Sequence, residues 1–151
     1  MSVPAEFVFE VVAQVDAPLV IGQTSHGLRR VIPILGGTVT GPRLSGTVLP
    51  GGADWQFVRP DGVLSLEARY TLRAADGALV SVTNRGMRHG PPEIIDRITR
   101  GESVPEGSYY FRTVAEFEAP LGPHEWLNKA LFMGLAERRP GAAVVRFHLL
   151  K

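Results

Sequence analysis

The side chains that could move protons or hold anions in this 151-residue sequence are 15 Asp and Glu, 16 Lys and Arg, four His and three Tyr. There is no cysteine, which excludes disulfides, thiolate nucleophiles, iron–sulfur clusters and thiolate zinc sites. His26, His89, His124 and His148 are isolated, without HxH or His-x₃-His spacing. A metal would have to gather ligands from separate strands, so neither a metal nor another cofactor is expected. No GxSxG elbow, P-loop, GxGxxG or HExxH occurs, which leaves acid–base and anion chemistry by Asp, Glu, Tyr and Arg. All cations except Lys129 and Lys151 are arginine, a residue that stays charged, pairs bidentately with carboxylates and tolerates partial burial.

Two Asp-Gly turns place some of these groups opposite each other. Arg59-Pro60-Asp61-Gly62 suits a type I turn followed by a glycine bulge, with Pro fixing φ and Gly62 taking a positive φ. If Ala74-Ala75-Asp76-Gly77 turns the same way, Ala74 pairs with Ala78, Glu67 with Arg85 and Arg69 with Thr83; a two-residue turn sets Arg69 opposite Asn84 instead. The strand at 63–73 has one charged face, with Glu67 and Arg69, and one apolar face, with Leu66, Ala68, Tyr70 and Leu72. Periodicity alone assigns the apolar face to the core and leaves the charged face solvated. The opposite orientation would carry the charges into a pocket.

The elements that must position these residues are strands. Period-two alternation starts at Glu6–Ala13 and recurs along the chain, broken by Gly36-Gly37, Gly41-Pro42, Pro50-Gly51-Gly52 and the Asp-Gly pairs. One short helix is predicted near 92–100: Ile94, Ile95 and Ile98 have helical spacing, Pro91-Pro92 precede them and Gly101 ends the run. Strands are predicted at 108–118, 126–138 and 143–150, the second with both faces apolar, as an oligomer contact or a covering helix would require. Nine or ten short strands with almost no helix predict an all-β fold, a single antiparallel β-barrel over 1–151. A closed sheet hides its edges and is wide enough to hold a small ligand.

Charge and hydropathy narrow the partners. A net charge of +1 gives no footprint for nucleic acid or an anionic membrane surface. The basic pairs Arg29-Arg30 and Arg138-Arg139 lack interleaved aromatics. No basic leader precedes an apolar stretch, and no apolar run approaches the roughly 18 residues of a spanning helix. A soluble cytoplasmic protein is the expectation.

GGADW (51–55), LEARYTL (66–72), NRG (84–86), YYFRT (109–113), FE (117–118) and WLN (126–128), preceded by GGTVTGPRLSGTVLP (36–50), resemble the DUF3237 family, also called UPF0311, nearly end to end. Glu67 stands where the family usually has Asp, and His124 where an aromatic often sits. The resemblance implies a lipocalin-like antiparallel barrel with a central pocket, in small bacterial and fungal proteins of largely unassigned activity. Its motifs single out Asp54, Glu67, Arg69, Asn84, Arg85, Tyr110, Arg112, Trp126 and Asn128. If these converge, Arg69 or Arg112 would clamp a carboxylate or oxyanion, Asp54 or Glu67 would act as base and Tyr110 as proton donor, and Trp126 would form a flat wall, with Asn84, Arg85 and Asn128 completing the binding surface. The plain structural alternatives are a surface Glu67–Arg85 pair, turn chemistry for Asp54, and core packing for Tyr110 and Trp126. The function expected is binding of a small organic molecule, anionic or aromatic, in the barrel pocket, with acid–base turnover (isomerisation, dehydration or hydrolysis) of a small carbonyl- or carboxylate-bearing compound. A non-catalytic carrier and an oligomeric assembly module are the alternatives.

Overall fold

A computed structural model describes residues 2–151. The strands are β1 (Ala5–Val15), β2 (Leu19–Thr24), β3 (Gly27–Thr40), β4 (Gly46–Val48), β5 (Ala53–Val58), β6 (Leu64–Ala74), β7 (Leu79–His89), β8 (Tyr110–Glu118), β9 (Leu131–Arg139) and β10 (Ala142–Leu150). Among the described residues one α-helix, α1 (Pro92–Thr99), joins β7 to β8. All strand pairs are antiparallel, and pairing of β1 with both β10 and β3 closes eight strands into a barrel. Two strands supplement that ring. β4 and β5 follow one another in the gap between β3 and β6, while β2 continues past β1 along the first half of β3.

The hairpins have the predicted geometry. Gly62 N–H bonds to Arg59 O and Gly77 N–H to Ala74 O, with φ of 85° and 92° at the two glycines. Consequently Glu67 lies opposite Arg85 and Arg69 opposite Thr83. On β6, Leu64, Leu66, Ala68, Tyr70, Leu72 and Ala74 are buried, whereas Arg69 and Arg73 are exposed. The charged face of β6 is the outer wall, because turning it inward would expose six apolar side chains and desolvate Glu67, Arg69 and Arg73.

The predicted strand at 126–138 is shorter. Glu125–Lys129 is a 3₁₀ helix and the strand begins at Leu131. The Gly122-Pro123 turn leads into that helix, with Glu125 N–H bonding to Gly122 O and Leu127 N–H to His124 O. Asn128 then bonds to the Ala119 backbone in both directions, accepting from N–H at 2.7 Å and donating to O at 2.9 Å. Leu127, almost fully buried, plugs this end of the barrel. The two-sided apolar pattern therefore joins a plug to a strand that turns Phe132, Gly134 and Ala136 inward and leaves Leu131 and Leu135 exposed.

The interior is not a hollow tube. Phe9, Phe117, Phe132 and Phe147 pack with ring centroids 4.9 to 5.4 Å apart and fill the half nearer the plug. The other half is lined differently.

Candidate functional site

Inward positions of β3, β5, β7 and β9 carry polar groups towards the end where β9 turns into β10. Strand alternation puts Arg30 in phase with Ile32 and Ile34, and Arg88 in phase with Val80 and Val82, all facing in; Arg138 follows Phe132 and Ala136 in the same way. These three guanidinium groups line a cavity of about 290 Å³, closed in part by Ile98 of α1 and by residues 15–18 after β1. Exposed Asp16 and Arg100 stand at its rim.

The arginines are held separately. Arg30 Nε donates to Gln56 Oε1 at 2.8 Å, and Gln56 Nε2 donates to Asp54 Oδ2 at 2.7 Å. Arg138 Nη1 donates to the carbonyls of Ala142 and Arg139, while its backbone N–H donates to Tyr109 Oη at 2.6 Å. That bond leaves the Tyr109 hydroxyl hydrogen free to be donated. Arg88 is 5% exposed and its enclosed Nε has no partner. Among the described residues, none of the three forms an ion pair within 4.0 Å.

Burial and mutual repulsion perturb these groups. Burial, followed by repulsion from Arg30, brings Arg88 down to about 10. Arg30 and Arg138 are lowered as well, chiefly by burial. Desolvation raises Asp54 to about 6, against the opposing pull of the Gln56 hydrogen bond and the three arginines. Its Oδ1 is enclosed and unpartnered, as are Asn84 Oδ1 and Thr113 Oγ1, both on inward positions. Such orphaned interior atoms are rare in folded proteins and here collect on one side of the lumen.

The residues singled out from sequence divide into three places. Asp54 and Asn84 face inward, one on each side of Ala68 in the same cross-strand row. Glu67, Arg85, Tyr110 and Arg112 do gather, but in an open groove of about 580 Å³ on the outer wall, beside Trp55 and Met87. There Arg85 Nε donates to Glu67 Oε1 at 2.8 Å, and the Arg85 side chain is 60% exposed. Hydrogen bonding from Arg85 lowers the Glu67 pKa, the reverse of what a neutral-pH base needs. Arg69, 62% exposed, reaches Glu67 from outside the same wall. Tyr110 stacks on His89 with ring centroids 4.9 Å apart. Trp126 and Asn128 belong to the plug at the far end, where Arg43 lies over the Trp126 ring at 3.9 Å. The expected convergence of these residues in one pocket is therefore corrected: an outward parity places five of them on the outer wall, and the 3₁₀ helix takes two more. Sequence reasoning misses Arg30, Gln56, Arg88, Tyr109 and Arg138, although Arg30 and Arg138 occupy strand positions whose phase is otherwise apolar, and Arg88 follows Val80 and Val82 in a phase interrupted by Asn84. Among the described residues no three His, Asp or Glu side chains cluster as metal ligands, and no helix is long and apolar enough to cross a membrane.

Fold and interior together define an antiparallel β-barrel packed with aromatics at one end and lined by arginines at the other. The chain belongs to the DUF3237 family, described as proteins of unknown function, which it matches over residues 4–150. A UPF0311 protein of Bradyrhizobium diazoefficiens is 41% identical over 147 residues, 97% of this chain and 96% of that protein. Another, from Clostridium acetobutylicum, is 42% identical over 144 residues, 95% and 91% of the two chains. The crystal structure of a conserved protein of unknown function from Rhodopseudomonas palustris superposes with a TM-score of 0.96 at 40% identity, over 100% of this chain and 99% of that one. A structure described as an enzyme from Penicillium herquei shares the fold, with a TM-score of 0.75 at 18% identity over 100% and 96% of the chains.

Proposed function

We propose that this barrel binds a small organic anion in the cavity lined by Arg30, Arg88 and Arg138. The observation that carries the reading is three inward guanidinium groups, one of them 5% exposed, without a carboxylate partner. Desolvated cations are costly unless paired, and a carboxylate ligand supplies the planar acceptor that guanidinium forks match. The test is calorimetric titration with short carboxylates at low salt. Binding that disappears in Arg88→Gln supports the reading, and the absence of binding by any carboxylate tested removes it.

A second reading, acid–base catalysis on the bound anion, is favoured by Asp54. Its carboxyl near pKa 6 sits one Gln56 link behind Arg30, which suits proton transfer near neutrality. The arginines, the buried Arg88 foremost, would stabilise an enolate-like charge, with Tyr109 as a nearby donor. Incubation of bound carbonyl acids in D₂O, followed by NMR, separates enzyme from carrier. The enzyme exchanges the α-hydrogen and Asp54→Asn abolishes exchange, whereas a carrier binds without exchange.

A further inference from the structure

We propose that the ligand is a short dicarboxylate, a dianion engaging more than one of the three arginines at once. This deepens the anion-binding reading and rests on it.

The charge count comes first. Arg30, Arg88 and Arg138 contribute three positive charges to the interior, and Asp54 contributes one negative charge when ionised. At the rim, Arg100 is already paired with Glu102 at 2.6 Å, and Asp16 is exposed and screened by solvent, so neither enters the interior count. A monoanion would leave one interior positive charge uncompensated, and a dianion leaves none. Beside Arg88, which is 5% exposed, that residual charge weighs more heavily than it would in water.

Anchoring distinguishes a dicarboxylate from a compact tetrahedral dianion. The guanidiniums come from separate strands, with β5 and β6 between β3 and β7, and β8 between β7 and β9. Arg30 is tethered to Gln56 and Arg138 to the β9–β10 turn carbonyls, so they hold their places on different walls. Arg88, with its Nε unpartnered, stands on the wall between. Two tethered planar forks, with the buried Arg88 between them, suit two separated planar carboxylates better than one phosphorus- or sulfur-centred group. The cavity of about 290 Å³ lies at the lower limit of ordinary ligand sites, which restricts the guest to a short chain.

The experiment is a titration of the intact protein at pH 7.5 and constant ionic strength with butyrate, succinate, glutarate, inorganic phosphate and sulfate. Succinate or glutarate should bind at least about tenfold more tightly than butyrate, and Arg138→Gln should shrink that ratio. Asp54→Asn raises the interior charge by one and should strengthen dicarboxylate binding, a readout that does not depend on an arginine variant folding. Equal affinity for succinate and butyrate overturns the dicarboxylate proposal while leaving anion binding intact, and so does phosphate or sulfate binding more tightly than either dicarboxylate. No binding by any of the five overturns both.

Discussion

Asp54 and Glu67 lie one register step apart on neighbouring strands, and that step separates the inside of the barrel from the outside. Asp54 pairs with Ala68, and Trp55 with Glu67. One carboxylate is enclosed and raised to about 6, and the other, half-buried on the outer wall, is lowered.

The two carboxylates should therefore give opposite pH signatures. A raised folded pKa favours folding below the unfolded value of 3.8, and that advantage is lost as pH rises through 6. The shift amounts to roughly 3 kcal/mol. Asp54→Asn should match wild type near pH 4 and exceed it by up to about 3 kcal/mol at pH 8, measured by urea denaturation. Glu67→Gln should cost no more than about 1 kcal/mol at neutral pH, because its pairs with Arg85 and Arg69 are solvent-screened. That small difference should vanish as pH falls through the folded Glu67 pKa.

Arg88 sets stability against binding. A buried cation without an ion-pair partner costs desolvation that an aliphatic side chain of similar length does not, so Arg88→Met should stabilise the free protein by about 1–3 kcal/mol. The same variant should bind carboxylates at least about tenfold more weakly. Arg69→Ala, altering an exposed residue on the outer wall, should change stability by no more than about 0.5 kcal/mol and leave carboxylate binding unchanged. Denaturation melts with and without added succinate read both effects. Weaker binding in Arg69→Ala would move the site to the outer groove.

The barrel, the Glu67–Arg85 register and α1 were legible because turn chemistry and alternation are local. Site placement was less legible because it depends on parity and closure. In Tyr109-Tyr110 the chemistry of neighbours is identical and only the phase differs; the sequence reading points to the outer tyrosine, while the inner one accepts the Arg138 backbone N–H. In the sequence Arg30 and Arg138 read only as halves of basic pairs. In each pair one guanidinium lines the end cavity and the other does not. An arginine in an apolar phase is a sequence signal, but its convergence with two others appears only when β3, β7 and β9 are brought around one lumen.

Thr113 and Gly134 form a matched pair in the interior, opposite each other on β8 and β9. A Cβ on Gly134 would lie 2.0 Å from Thr113 Oγ1 and 2.8 Å from Val145 Cγ1. Gly134→Ala should cost about 1–3 kcal/mol by overpacking. Thr113→Ala should recover part of that loss when combined with it, giving a coupling of at least about 0.5 kcal/mol in a double-mutant cycle by thermal or urea melts. Additive losses would mean that the backbone, rather than the threonine, absorbs the clash.

Trp126 tests whether the two ends of the barrel work independently. Its ring packs 6.0 Å from Phe132 on one side and carries the Arg43 guanidinium at 3.9 Å on the other. Arg43 also approaches Glu6 at 3.9 Å, so the contact ties the residues after β3 to β1 and the plug. Arg43→Gln should cost about 0.5–1 kcal/mol, the range of a partly exposed cation–π contact. Trp126→Ala should cost more, about 2–4 kcal/mol, because it also strips cover from the aromatic core. Neither change touches an arginine of the cavity, which lies beyond the packed phenylalanines, so dicarboxylate affinity at saturating folded protein should remain within about twofold of wild type. A larger loss of affinity in Trp126→Ala would show that the aromatic half transmits strain to the arginine half, and that the guanidinium positions depend on the plug.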